Sequence, residues 1–389
     1  MTVDVTRDDR KSASLAARHL APPAEARRIG TFELARDVLR NPEMVQAAVG
    51  AEQKTRAMIE PQYQPVFFLD GEAHKLRRQA IARFFTPKAI STRYRLTMEE
   101  ISRRLVDRVQ RDGRAVLDEI SFELTVGVAA EIVGLTNSNP AAMAKRINAV
   151  LLSTRVPNWN AALRPIGNVL VAFAGLRFFV RDVRPAIRAR RSQRSVDVIS
   201  HLLDEGYPDK AILIECMTYA VAGMVTTREF ITMAAWHMFD DDTLRRRFVA
   251  ADEAEQTVIL EEILRLEPVA SLIYRRASGD ATFPSGSIEA GELLTLSIRE
   301  ANLDEQTVGK CPFALDPDRA TDGRIVGAYL SFGEGSHRCP GSQVAIQESR
   351  VFLDALLRVP GLRLQRRPDM AWNTGINSYE LRKAVVVCG

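Results

Sequence analysis

Cysteine is scarce in this chain. Four occur in 389 residues, at positions 216, 311, 339 and 388, and no two stand at a spacing that a disulfide framework uses. A signal peptide and a membrane anchor are not expected either, because the first residues, MTVDVTRDDRKSASL, are polar and charged. The apolar run 166–179 is too short to cross a bilayer and contains Arg177. No charge sign is in large excess. Lys and Arg total 53 against 49 Asp and Glu, a net +4, and the two signs are interspersed, which argues against nucleic acid as a partner. Internal repeats and low-complexity linkers are absent. These absences point to a soluble, cytoplasmic protein of a reducing compartment. It is expected to be a monomer with neither nucleic acid nor a membrane among its partners.

Helical periodicity dominates what is present. It predicts helices over 32–39, 71–83, 87–112, 114–134, 139–154, 163–190 and 195–205, then 241–251 and 254–266. Between them, residues 209–239 form a proline-free run that is apolar nearly all round, as expected of a helix through the middle of a protein. At 1.5 Å per residue it would be about 45 Å long. Strand-like alternation comes only after 270, in LIYRRA, LLTLSI, LRLQ and AVVV. The expected fold class is mainly α with small β-sheets (α+β), a single domain over 1–389. Residues 1–30 are expected to be loosely structured. Residues 43–70 have no clear period and contain Pro61 and Pro65; a loop of that length inside a compact domain is usually functional.

One cysteine stands out. Cys339 lies in LSFGEGSHRCPGSQVAIQE, residues 330–348, among Gly333, Gly335 and Gly341 and directly before a helical stretch. A dinucleotide loop requires G-x-G-x-x-G, and the last position here is Arg338. A zinc site requires more Cys or His at ligand spacing, and only His337 is near. A Cys–His nucleophile pair remains open, although two residues apart in a tight loop need not align thiolate and imidazole. A lone thiolate on a haem iron fits better, since such a ligand pushes electron density toward O–O cleavage. Glycines let the loop lie close to a macrocycle, backbone N–H groups can tune the sulfur, and the following helix presents its positive end.

FGEGSHRCPG, residues 332–341, resembles the F-x-x-G-x-x-x-C-x-G signature of the cytochrome P-450 haem-thiolate monooxygenases. Further resemblances follow in the family's order. EILR, from Glu262 to Arg265, is similar to its E-x-x-R, whose members face one side of a helix. Asp316-Pro317-Asp318-Arg319 is similar to its D-P-x-R-F segment, with Ala320 in place of Phe. GEAHKLRRQAIARFFTP, residues 71–87, resembles its third helix. The resemblance runs from about residue 32 to the end and implies the P-450 fold with a reduced N-terminal region. It implies haem b (iron protoporphyrin IX) with Cys339 as the iron ligand. Phe332, Gly333 and Gly341 would shape the loop, and His74, Arg78, Arg275 and His337 would hold the propionates. Glu262, Arg265 and Arg319 would lock the fold behind the haem.

The central run carries AGMVTT, residues 222–227, where the family has A-G-x-[DE]-T-T. Gly223 would let oxygen and substrate approach, and Thr226 would supply the hydroxyl near oxygen. The acid position is Val225, which cannot relay the protons that O–O cleavage consumes. Substrate or ordered water could deliver them, Glu229 one turn on could reach in through solvent, or the chemistry could be oxidative coupling or peroxide use. The family's pocket regions here supply Val66, Phe67, Phe68, Met224, Val225, Ala270, Leu272 and Ile376 to Tyr379. That set is mostly apolar, as expected for a moderately hydrophobic small-molecule substrate. The resemblance also implies dioxygen as co-substrate, with electrons from ferredoxin and ferredoxin reductase. Arg83, Lys88 and Arg350 are candidates for the docking face. A non-enzymatic haem sensor is a further alternative.

Overall fold

The computed structural model describes residues 11–13, 15, 25–47, 59–156, 159–319, 327–374 and 376–389. The helices are α1 (Phe32–Arg40), α2 (Gly71–Ala82), α3 (Arg95–Asp112), α4 (Leu117–Val133), α5 (Pro140–Val150), α6 (Arg164–Phe178) and α7 (Arg184–Ser192). They continue with α8 (Val198–Asp204), α9 (Asp209–Tyr219), α10 (Thr226–Asp240), α11 (Asp242–Ala250), α12 (Glu253–Leu266) and α13 (Ser342–Leu357). Local chemistry sets many of the ends. Asn139 accepts a hydrogen bond from the Ala142 N–H with Pro140 in the first turn, and Asp197, Asp241 and Asp252 do the same for α8, α11 and α12. α3 and α4 stop at left-handed Gly113 and Gly134.

Helices α3, α4, α10 and α13 pack together at the centre of one large apolar cluster. α4 and α10 are buried nearly all round, in keeping with sequences that carry little polarity on any face. A π-helical segment, Ala220–Val225, joins α9 to α10, so 209–240 is one continuous helix of 32 residues. It is the one described helix long and apolar enough to cross a membrane by length and composition.

Four small sheets sit around this helical body. The largest has the order β1 (Arg27–Ile29), β7 (Leu293–Ser297), β4 (Leu272–Ala277), β2 (Met44–Gln46), with β1 parallel to β7 and the other pairs antiparallel. β11 (Val385–Val387) pairs with β3 (Arg114–Val116) and β8 (Arg363–Arg366). β5 (Ala281–Phe283) with β6 (Gly286–Ile288), and β9 (Asp369–Asn373) with β10 (Ser378–Arg382), are two-stranded. The mainly helical class is as expected from the sequence, and several boundaries differ. Arg27–Ile29 is a strand rather than loose chain. Residues 114–116 form a strand instead of the start of a helix, because their backbone pairs with β11. The long helices expected over 87–112 and 163–190 each contain a π turn, Ile90–Tyr94 and Phe179–Val183. Ala320 lies outside the described residues.

A buried charge cluster ties the N-terminal segment to this body. Glu267, directly after α12, has no exposed surface. Its Oε2 accepts from the Ser12 N–H at 3.3 Å, from the Ser12 hydroxyl and from Arg299 Nη2 at 3.0 Å. His237 Nε2 lies 3.6 Å from the other oxygen. Burial pushes the carboxyl pKa up, but Arg299 and the contacts from His237 and Ser12 outweigh it and hold the group at about 2. A depressed folded-state value means that the contribution is complete above the unfolded pKa near 4.5 and is lost as pH falls toward 2. Its size is about 3 kcal/mol. Acid titration of chemical-denaturation stability should therefore slope downward through that window. Glu267→Gln should be less stable at neutral pH and lack that part of the slope; an unchanged slope would refute the assignment.

Candidate active site

Residues 330–341 fold into a compact loop by successive turns. The Gly333 N–H donates to the Leu330 carbonyl at 2.8 Å, the Arg338 N–H to the Gly335 carbonyl at 3.1 Å, and the Cys339 N–H to the Phe332 carbonyl at 2.8 Å. Gly333 and Gly335 both have φ of +69°. At Gly335 a Cβ would come within 2.2 Å of the Leu39 carbonyl oxygen, so the loop backbone lies directly on the end of α1. α13 starts at Ser342, and the backbone N–H groups of Gly341 and Ser342 point toward the Cys339 sulfur. Burial pushes the thiol pKa up, partly offset by those amides and by Arg78 and Arg338.

The loop is fastened from behind. Arg265 donates from Nε and Nη2 to the two oxygens of Glu262, each at 2.7 Å, and Arg319 Nε reaches Glu262 Oε1 at 3.3 Å. The remaining guanidinium donors of Arg265 and Arg319 reach backbone carbonyls, among them Asn302, Pro312, Val308, Cys311 and Ala314. Asn302 in turn bonds the Arg265 carbonyl, the Ser331 hydroxyl and the Leu330 N–H, and the Ser331 hydroxyl donates to the Leu264 carbonyl. The ion pair on α12 thus connects to the cysteine loop through two polar side chains.

Beside the loop is a cluster of histidine and arginine side chains. The His74 and His337 rings lie 4.0 Å apart, centroid to centroid. His337 Nε2 is 3.1 Å from Asp70 Oδ1, and its other nitrogen is 3.4 Å from the Gln46 amide. Gln46 accepts from Arg275 Nη1, and Arg78 Nη2 donates to the Arg338 carbonyl, next to Cys339. Burial, with His337 and Arg78 as like-charged neighbours, lowers the His74 pKa to about 4. Burial raises the Asp70 carboxyl, but the contacts from His337 and the Gln46 N–H more than offset it. Asp70 and Gln46 have no local motif that would have singled them out. The register of β2 on β4, with Gln46 opposite Arg275, brings them together.

The helix 209–240 has an opening in an otherwise packed surface. Ala222 and Gly223 are exposed although they sit mid-helix, and a Cβ on Gly223 would meet nothing within 4 Å. They lie in the π-helical segment, a device that recurs at functional sites. Thr226 Oγ1 donates to the Ala222 carbonyl at 2.6 Å, which leaves its lone pairs free to accept.

Comparison with known proteins agrees with this geometry. The family model for Cytochrome P-450 matches residues 256–369. The steroid C26-monooxygenase of Mycolicibacterium smegmatis is 27% identical over 350 residues, 86% of this chain and 80% of that protein. The nocardicin C N-oxygenase of Nocardia uniformis is 27% identical over 342 residues, 84% and 80%. The crystal structure of cytochrome P-450 MoxA from Nonomuraea recticatena superposes with a TM-score of 0.76 at 22% identity, covering 93% of this chain and 89% of that one.

The chain has the cytochrome P-450 fold. Haem is the family's cofactor, and the residues present suit it. Among the described residues the cluster sets two guanidiniums, with two imidazoles able to donate hydrogen bonds, beside one carboxylate, Asp70, a donor set that would suit two propionates. Arg78, inside that cluster, also reaches the loop carrying Cys339.

Several expectations for the site need correction. Glu229 has no exposed surface: its oxygens accept from Arg228 at 2.7 Å, Arg382 at 2.7 Å and the Leu381 N–H at 2.8 Å, so it is an anchor for β10 and cannot reach into solvent. Met224 and Tyr379 have no exposed surface; the Tyr379 hydroxyl donates to the Glu267 carbonyl at 3.2 Å. Phe68 and Leu272 are buried, whereas Phe67 is exposed and Ala270, Ile376 and Val66 are half-buried. Arg350 is buried against Glu253, 3.2 Å away, and offers no docking charge, unlike the exposed Arg83 and Lys88. Glu348 on α13 is a group that no sequence motif singles out. Burial pushes its carboxyl pKa up, partly offset by a hydrogen bond with Thr227 of α10, and Oε2 has no described partner.

Val225 is 2% exposed and belongs to the central apolar cluster. A carboxyl placed there would be desolvated without a partner. Val225→Asp is therefore expected to lower stability by about 1–3 kcal/mol, read as a fall in the unfolding midpoint, with no rise in product formed per electron consumed. Improved coupling would mean that position 225 faces the reaction space.

Proposed function

We propose that this cytochrome P-450 hydroxylates or otherwise oxygenates a moderately hydrophobic small organic molecule, consuming one O2, two electrons and two protons and releasing water. Ferredoxin and its reductase supply the electrons. Bound haem would supply the oxygen activation, held by the Cys339 thiolate. The observation that carries the reading is the pairing of a thiol backed by two backbone N–H groups with a cradle of two arginines and two histidines beside it.

The chain's own residues have distinct parts in this scheme. The Gly341 and Ser342 amides stabilise negative charge on sulfur. His74, Arg78, Arg275 and His337 seat the ring edge. Gly223 leaves room at the helix for a small diatomic and a substrate. Thr226, donating to Ala222, can accept a hydrogen bond from a water and hold it in place to pass on a proton. Ala270 and Ile376 contribute apolar surface. Arg83 and Lys88 are exposed on the segment that includes Phe85, which meets Gly341, and would face an acidic electron donor.

A second reading rests on Val225. With no acid there and Glu229 engaged in ion pairs, the same fold could run on peroxide or couple substrates oxidatively. The test is turnover of a compound that shifts the haem band, measured with NAD(P)H, ferredoxin and reductase and, separately, with hydrogen peroxide alone. Product only with the electron-transfer chain supports the first reading. Product with peroxide alone replaces it with the second. No product under either condition, with haem bound, leaves a ligand-binding sensor.

A further inference from the structure

Large apolar side chains on this surface are concentrated in one place. Seven of the twelve that are exposed among the described residues fall between 163 and 180. Ile166, Val169, Leu170, Phe173, Leu176 and Val180 recur at helical spacing along α6 and into the π turn after it, and each is between 43% and 68% exposed. The opposite side of α6 already supplies the core contact, through Gly167, Ala174 and Phe178. The helix therefore has two apolar faces and uses one. The second runs for about 21 Å at 1.5 Å per residue.

The charge around this ridge has one sign. Residues 132–181 contain no Asp or Glu and six Lys or Arg, more than the whole chain's net +4. Arg164, Arg177 and Arg181 are exposed on the ridge's own turns. Among the described residues neither Arg177 nor Arg181 has a carboxylate partner. The next acid, Asp182, is fully buried and held by Arg146 through two contacts of 2.6 Å. Lys145, Arg146 and Arg177 also line a shallow recess of about 170 Å³ between α5 and α6.

We infer that α6 is a docking surface for an anionic lipid bilayer, on which the protein lies peripherally without spanning it. An apolar ridge with an arginine border is the composition that settles in the headgroup region, apolar side down and cations at the phosphates. A second copy of the chain is disfavoured, because mating two such faces would bring their arginines together. An acidic protein would match the charge. The six apolar side chains of the ridge, however, carry no donors or acceptors to fix a register, which a fluid apolar phase does not require.

The holoprotein should sediment with vesicles of phosphatidylglycerol and phosphatidylcholine, more weakly at high salt, and at least tenfold less with phosphatidylcholine alone. Val169→Glu/Phe173→Glu changes two exposed positions. It should lose vesicle binding at least tenfold while the haem spectrum and the unfolding midpoint stay as in the parent. Arg177→Ala/Arg181→Ala should weaken binding and flatten its salt dependence. Absence of binding to anionic vesicles overturns the proposal, as does full binding by the Val169→Glu/Phe173→Glu protein. Failure to bind vesicles together with a dimer that this variant dissolves, or with capture of an acidic protein that it releases, overturns it in favour of that occupant.

Discussion

Cys339→Ser is expected to remove the red-shifted carbon monoxide band of the reduced protein and to reduce oxygenation to background. A serine hydroxyl is a far weaker acid than a thiol and stays neutral, so it cannot supply the electron push of a thiolate that O–O cleavage needs. The expected cause is local. The Cys339 N–H bond to Phe332 and the glycine turns are backbone features, so the loop should keep its shape with serine in place. The unfolding midpoint of the haem-free form should move little. The other three cysteines serve as controls. Cys216 is buried in the core, with its thiol pushed up by burial, and Cys311 and Cys388 lie away from the loop. Cys311→Ser and Cys388→Ser should leave the band intact. A persisting band in Cys339→Ser, or its loss in either control, would refute the ligand assignment.

The parts of the site that were legible in the sequence are those written within a few residues. The cysteine loop needs glycine at fixed offsets, and the Glu262–Arg265 pair needs only one helical turn. The parts that were missed depend on distant chain segments. Asp70 and Gln46 reach the histidines because three-residue β2 pairs with β4, and a strand of three residues carries no readable alternation. The same brevity concealed β1 and β3. Errors of facing have a specific cause as well. Counting 3.6 residues per turn through 209–239 fails at the π segment Ala220–Val225, which adds a residue and rotates the face that follows. That rotation is consistent with Met224 and Glu229 in the core while Ala222 and Gly223 open outward. Tyr379 was misread for lack of a strand assignment: β10 turns it toward Glu267.

Removing Glu262 should have the largest effect on the fold. The carboxylate serves Arg265, Arg319 and the Asp316 N–H at 3.0 Å, and both arginines are buried. Glu262→Ala leaves two guanidiniums without a counter-charge, and breaking such a pair costs about 3–5 kcal/mol. Arg265→Ala removes one of the two charges and also strips donors from the carbonyls of Asn302, Pro312 and Ala314, so a loss of similar size is expected. The consequence for the site follows through Asn302 and Ser331, which link α12 to the start of the cysteine loop. A loop released at that end would no longer hold the sulfur against its amides. The ratio of haem to protein absorbance should therefore fall together with the unfolding midpoint, and Arg265→Lys, which cannot make the two-pronged contact, should rescue little. The Glu262→Ala/Arg265→Ala pair should cost less than the sum of the singles, because each single leaves a charge that the double removes. Additive losses, or a single variant that keeps full haem and its midpoint, would mean that the pair is incidental to the loop.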